Sequence, residues 1–192
     1  EQYKADAAQL SADELLYAAT LTNDANEKEA IYKKAAECYD KDYRAYNNLA
    51  VMAFNKGDEN AAKSYVKQAF AKDQKAPEGY ANLALIALRN GNIAEAESNL
   101  SKAINANGFG EVLGNLNIAK GNYATAVKNF EGSKSNSAAL AQILNKDYAA
   151  AVATLKDQKN ADALSDYLMA IVQYRQGNTA AAQDYLNSAI KK

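Results

Sequence analysis

The chain contains no histidine. That removes the commonest general base and the commonest transition-metal ligand together. Cys38 is the single cysteine, so neither an intrachain disulfide nor a cysteine-based metal site can form. It reads as a small apolar filler in a helix, and by itself it does not choose between a reducing cytosol and an envelope compartment. No apolar run approaches the roughly 18 residues that a membrane-spanning helix needs. No signal-peptide pattern opens the chain, and it starts at Glu1, so the expectation is a mature or truncated polypeptide. There is no excess of positive charge: the formal net charge is −1, and only Arg44, Arg89 and Arg175 of the 22 basic residues are arginines. Such a balance gives little to hold a phosphate backbone, so nucleic acid is not expected as a partner. Pro77 is the only proline, so nothing interrupts a helix interior.

Among what is present, 48% of the residues are hydrophobic and 23% charged, ordinary for a folded soluble protein. The informative signal is punctuation. Gly57-Asp58, Gly91-Asn92, Gly121-Asn122 and Gly177-Asn178 each lie between two amphipathic patterns of helical period. Aligning the turns places Asn23, Gly57, Gly91, Gly121, Lys146 and Gly177 at one repeat position, with steps of 34, 34, 30, 25 and 31 residues. If the turn is position 15, Tyr46 and Tyr80 share position 4, Leu49 and Leu83 position 7, and Ala50 and Ala84 position 8. Ala62 and Ala96 share position 20, and Ala69 and Ala103 position 27. The small residues let the two helices of a hairpin approach closely. The large ones fill the space between successive hairpins, and position 24 (Tyr32, Val66, Leu100, Phe130, Leu155, Leu186) is apolar or aromatic throughout.

The helix boundaries are legible. Glycine supplies the left-handed residue that ends a first helix, and Asp58, Asn92, Asn122 and Asn178 are placed to cap the second. Asn92 with Glu95 and Ser11 with Glu14 have capping-box spacing. Pro77 sits at a tolerated first helical position. The later repeats depart from the pattern: Asn107–Gly110 and Gly132–Ser137 read as loops, the next first helix shrinks to about nine residues, and Asn145-Lys146-Asp147 stands where Gly-Asn is expected. In the first hairpin, Lys28 occupies the small position 20. The reading is all-α, with residues 1–11 a linker or partial helix and residues 12–192 one array of about six antiparallel hairpins: 12–42, 43–76, 77–106, 107–131, 137–158 and 161–191. The compressed stretch 107–160 is expected to open more readily than 43–106 and to place a pocket or bend there.

The set Tyr46/Leu49/Ala50/Gly57/Ala62/Ala69, with its in-phase copy 34 residues on, resembles the tetratricopeptide repeat family. The resemblance is strong over 43–106, fair over 12–42, 107–131 and 161–192, and weak over 132–160. It implies a right-handed α-solenoid whose first helices line a concave groove that holds peptides or partner domains. The Tyr-, Lys- and Ala-rich texture also resembles repeat segments of larger bacterial envelope proteins, which implies the periplasmic side of a bacterial envelope, with the cytoplasm as alternative. The family's carboxylate clamp is absent. Asn47 and Val51, then Ala81 and Leu85, hold positions 5 and 9, Gly108 and Val112 fill the third repeat's cation positions, and only Asn48 and Asn82 match.

The same resemblance assigns the groove lining. It implies Tyr17; then Arg44, Asn47, Val51, Phe54 and Asn55; then Leu85, Leu88 and Arg89; then Ile118; and, in the last hairpin, Tyr167, Ile171 and Tyr174. Apolar and aromatic groups with scattered polar heads suit a partner with apolar anchors. The competing reading is that residues at positions 9 and 12 pack against the neighbouring hairpin. The 13 tyrosines read mostly as core. No catalytic, cofactor or metal site is expected: Glu27-Lys28-Glu29 reads as a solvated helix start, Asp40 and Asp42 lack calcium-loop spacing, and Gly108-Phe109-Gly110 is not followed by the Lys-Ser or Lys-Thr of a phosphate loop. The function expected is a non-catalytic protein-interaction scaffold. The alternative is a self-assembly module whose groove is filled by its own flanking segment or by a second copy, as a homodimer.

Overall fold

The computed structural model describes residues 10–103, 108–159 and 161–192. Residues 1–9, most of the segment read as a linker or partial helix, lie outside the described residues, as do 104–107, which include the first residue of the Asn107–Gly110 loop. The described residues form twelve α-helices and no strand. They fall into two compact units, Glu1–Ala106 and Asn107–Lys192.

The first unit holds α1 (Ala12–Leu21), α2 (Ala25–Cys38), α3 (Arg44–Asn55), α4 (Glu59–Lys72), α5 (Pro77–Arg89) and α6 (Ile93–Lys102). The helices pack in consecutive pairs; α3 lies on α2, and α5 lies on both α3 and α4. The second unit holds α7 (Gly110–Ala119), α8 (Tyr123–Asn129), α9 (Asn136–Leu144), α10 (Tyr148–Lys156), α11 (Ala163–Arg175) and α12 (Thr179–Lys191). The rule is the same there. Each pair closes on itself, α9 seats on α7 and α8, and α11 seats on α9 and α10.

One turn geometry recurs five times. The amides of Asp58, Asn92, Asn122, Asp147 and Asn178 donate back to the carbonyls of Ala53, Ala87, Asn117, Gln142 and Gln173. This six-residue closure needs a left-handed residue just before the donor. Gly57, Gly91, Gly121 and Gly177 supply it with φ between 73° and 84°, and Lys146 adopts it at φ 67°. The caps that follow are less uniform than the residue types imply. Asp58 and Asn92 accept backbone N–H groups, whereas Asn122, Asp147 and Asn178 make no side-chain cap. The Asn178 amide donates instead to Gln173 Oε1 at 2.9 Å, holding the turn against the first helix. Ser11 with Glu14 forms the expected capping box, and so does Asp162 with Ser165. Between Asn92 and Glu95 the reciprocal contact is made by the side-chain amide of Asn92, not by its backbone.

Two loops are shorter than their composition implies. Gly110 already belongs to α7, and a β-carbon there would lie 2.6 Å from the Asn129 carbonyl oxygen. The glycine is present for close approach of two backbones rather than for a loop. Asn136 and Ser137 open α9, with Ser135 capping the Ala138 amide.

Side-chain packing follows the repeat register. Ala62, Ala96, Ala126 and Ala151 at position 20 are 0% exposed, so no methyl can be added there without moving a helix. Tyr32, Val66, Leu100, Phe130 and Leu155 at position 24 are buried, while Leu186 is only half-buried. Between hairpins, the Tyr80 ring packs 4.8 Å from that of Phe70. Each buried Leu, Ile or Val contributes on the order of 1.5–3 kcal/mol. The tyrosines divide: Tyr32 is core, whereas Tyr17, Tyr167 and Tyr174 are exposed. Cys38 is a free thiol, half-buried at the end of α2 rather than inside the core.

Candidate functional site

In the first unit, the first helices α1, α3 and α5 carry the candidate residues at equivalent register. Position 9 holds Tyr17, Val51 and Leu85; Tyr17 is 66% and Val51 38% exposed, and Leu85 is half-buried. Position 12 holds Phe54 and Leu88, both half-buried, and position 13 holds Asn55 and Arg89, both exposed. Arg89 organises the α3–α5 junction. Its guanidinium carbon lies 3.5 Å from the centre of the Phe54 ring, and Nη1 donates to the Phe54 carbonyl. This cation–π stack leaves Phe54 with one face on the core and one under a charge.

Two candidates behave differently. Arg44 pairs with Asp13 at 2.7 Å and Asp42 at 2.6 Å, tying α3 to α1. The guanidinium holds the Asp42 carboxyl below the usual range, and the hydrogen bonds to Asp42 and Asp13 raise Arg44 in turn. Asn47 is only 4% exposed, and its side-chain amide has no hydrogen-bond partner among the described residues. Its carbonyl accepts from the Asn82 amide at 3.4 Å. Its side chain therefore lies inside the packing between α3 and α5, not on the surface that Val51 and Phe54 share.

In the second unit, Ile118 packs half-buried against the Ala126, Phe130, Ala138 and Ala141 cluster. Tyr167, Ile171 and Tyr174 follow one another along α11 beside an open groove of about 540 Å³. The α12 wall of that groove, Thr179, Ala182, Gln183 and Leu186, was not among the sequence candidates. The family resemblance assigns lining to first helices alone. The half-exposed Leu186, at a position buried in every preceding hairpin, is the structural sign that the face is open.

Among the described residues, every resolved shift runs away from neutrality. Carboxyls such as Asp166, held by Lys192 and Ser188, go down; amines such as Lys33, held by Glu29, go up; burial raises Tyr32. No described helix is long and apolar enough to cross a membrane.

Comparison with known proteins agrees with this architecture. The tetratricopeptide repeat family model matches residues 43–71 and 77–108. The fold is similar to that of a tetratricopeptide repeat protein from Parabacteroides merdae, at 15% identity and a TM-score of 0.58, covering 94% of this chain and 78% of that one. It is similar to a chain of the APC/C hetero-tetramer Cut9-Hcn1, at 18% identity and a TM-score of 0.70, over 94% of this chain and 40% of that one. It is also similar to PilW, a widely conserved type IV pilus biogenesis factor, at 16% identity and a TM-score of 0.61, over 91% of this chain and 90% of that one. No curated protein matches the sequence. Residues 43–71 and 77–108 are thus matched as tetratricopeptide repeats, and the hairpins on either side have the same helical-pair fold.

Proposed function

We propose that the chain is a non-catalytic protein-interaction scaffold that holds a peptide or partner domain on the first-helix face of its first unit. The observation that carries this reading is the accessible apolar row of Tyr17 and Val51, repeated in register by Leu85 and flanked by Phe54 and Leu88 under Arg89. Residues of this size are rarely left open at equivalent points of successive hairpins without something to cover them. Aromatic and arginine groups at the centre of such a face are the usual anchors of a protein partner. The net charge of −1 gives nucleic acid no purchase. Likeness to PilW supports, as a proposal, the periplasmic side of a bacterial envelope; fractionation of the protein into the cytosol would overturn that placement.

The test is capture of a partner on the immobilised protein, followed by titration of that partner against Phe54→Ala and Leu88→Ala. Each substitution is expected to weaken binding by about fivefold or more, the loss of over about 1 kcal/mol that marks an interface anchor. Unchanged affinity in both variants removes the assignment. Light scattering separates the self-assembly alternative: a monomer supports the scaffold, and a concentration-dependent dimer that Phe54→Ala dissolves supports a second copy as occupant.

A further inference from the structure

The turn from α5 to α6 differs chemically from the other turns of its kind. Where glycine holds the left-handed position, the residue before it is Lys56, Asn90, Lys120 or Gln176. Of these only asparagine sets a side-chain carbonyl carbon where the next backbone nitrogen can close a succinimide ring. Asn145 precedes Lys146, whose side chain crowds that attack. The chain's other Asn-Gly pair, Asn107-Gly108, lies partly outside the described residues. Asn90 and Gly91 are both exposed, and a β-carbon built on Gly91 would meet nothing within 4 Å, so the attacking nitrogen is uncrowded. Its N–H donates to the Leu88 carbonyl at 3.0 Å, and that of Asn90 to Ile86 at 3.2 Å, both at the end of α5, where local opening costs little. The Asn90 side chain also has a structural task. Its Nδ2 donates to Glu59 Oε2 at 3.1 Å, clasping the end of α5 to the first residue of α4. With the Lys63 ammonium, this bond holds the Glu59 carboxyl below its usual range.

We propose that Asn90 is a site of spontaneous deamidation and isomerisation, and that the product releases the clasp between α4 and α5. Asparagine is among the thermolabile residues. The Gly91 nitrogen bonds to the Asn90 side-chain carbonyl carbon as its proton passes to solvent. The bond from that carbon to Nδ2 breaks, and ammonia leaves, having taken a proton from solvent in turn. Water then opens the imide at either C–N bond, leaving aspartate or isoaspartate. Nothing is oxidised or reduced, and water is the only co-reactant. Either product sets a carboxylate where a donor faced Glu59, so attraction becomes repulsion. Isoaspartate also adds a methylene to the main chain inside the turn that the Asn92 amide closes on the Ala87 carbonyl at 2.8 Å.

The test is peptide mapping of the folded 192-residue protein after prolonged warming in mildly alkaline buffer, against an unaged sample. Trypsin cuts after Arg89 and Lys102, so one peptide carries Asn90, Asn92 and Asn99. The last two are followed by the bulky Ile93 and Leu100, and Asn99 is buried, so they are internal controls. The mass of one deamidation is expected at Asn90, in aspartate and isoaspartate forms, with Asn92 and Asn99 unchanged and no such product from Asn90→Gln. For the clasp, Asn90→Asp is expected to lower the urea midpoint. In the Glu59→Gln background the same change is expected to lower it much less. The site is overturned if Asn90 stays intact in the folded protein while the urea-unfolded chain reacts, or if Asn92 and Asn99 react as fast. The clasp is overturned if Asn90→Asp leaves the midpoint at the parent's value, or lowers it equally with Glu59→Gln present.

Discussion

Lys146 is the only non-glycine residue with positive φ among the described residues, at 67°. It makes the same turn as four glycines, with the Asp147 amide bonded to Gln142. An L side chain in that region costs roughly 1–2 kcal/mol, part of which glycine would return as unfolded-state entropy. Lys146→Gly is therefore expected to stabilise the protein by about 0.5–1 kcal/mol, read as a rise in the urea midpoint at unchanged slope; a lower midpoint contradicts it. The position-20 alanines make the opposite case. Ala62 and Ala96 are 0% exposed between the helices of their hairpins, so Ala62→Leu and Ala96→Leu are each expected to cost about 1–3 kcal/mol by overpacking. Urea midpoints equal to the parent's would show that these sites have room.

Helix length separates the elements. In the first unit α3, α4 and α5 run for 12, 14 and 13 residues. In the second, α7, α8, α9 and α10 run for 10, 7, 9 and 9. A short helix buries less of each neighbour, and few isolated helices of this length hold together in water. Amides of α7–α10 are therefore expected to exchange with solvent faster than those of α3–α5 under native conditions. Equal protection in both stretches would mean that packing, not helix length, sets local stability here. The last hairpin lengthens again, with α11 and α12 at 13 residues each, and its second helix is clasped by Lys192 and Ser188 on Asp166.

At the scale of the whole molecule, repeats that touch mainly their neighbours make stability close to a sum of hairpin and interface terms. The chain divides into Glu1–Ala106 and Asn107–Lys192. Each unit contains complete hairpins and its own buried clusters. Expressed separately, residues 1–106 and 107–192 are each expected to give a helical circular dichroism spectrum and a cooperative melt. A random-coil spectrum from either fragment would mean that the array folds only as one body.

The helices, their pairing and their turns are legible in the sequence. These depend on local events, namely a left-handed residue, a cap and a 3.6-residue apolar stripe, and each is written in neighbouring residues. That is why Gly57, Gly91, Gly121 and Gly177, the alanines of position 20 and even the irregular Lys146 were legible. The tertiary structure decided which residues at equivalent register stay open. Asn47 and Val51 lie four residues apart on α3, yet one is buried without a partner and the other is exposed. Arg44 and Arg89 are both basic residues of first helices, yet one is bound into ion pairs and the other stacks on Phe54. Leu155 and Leu186 share position 24, and only the arrival of α11 on the first makes them differ. Exposure depends on what packs next to a residue from far along the chain, and a repeat register carries no record of where that neighbour is absent.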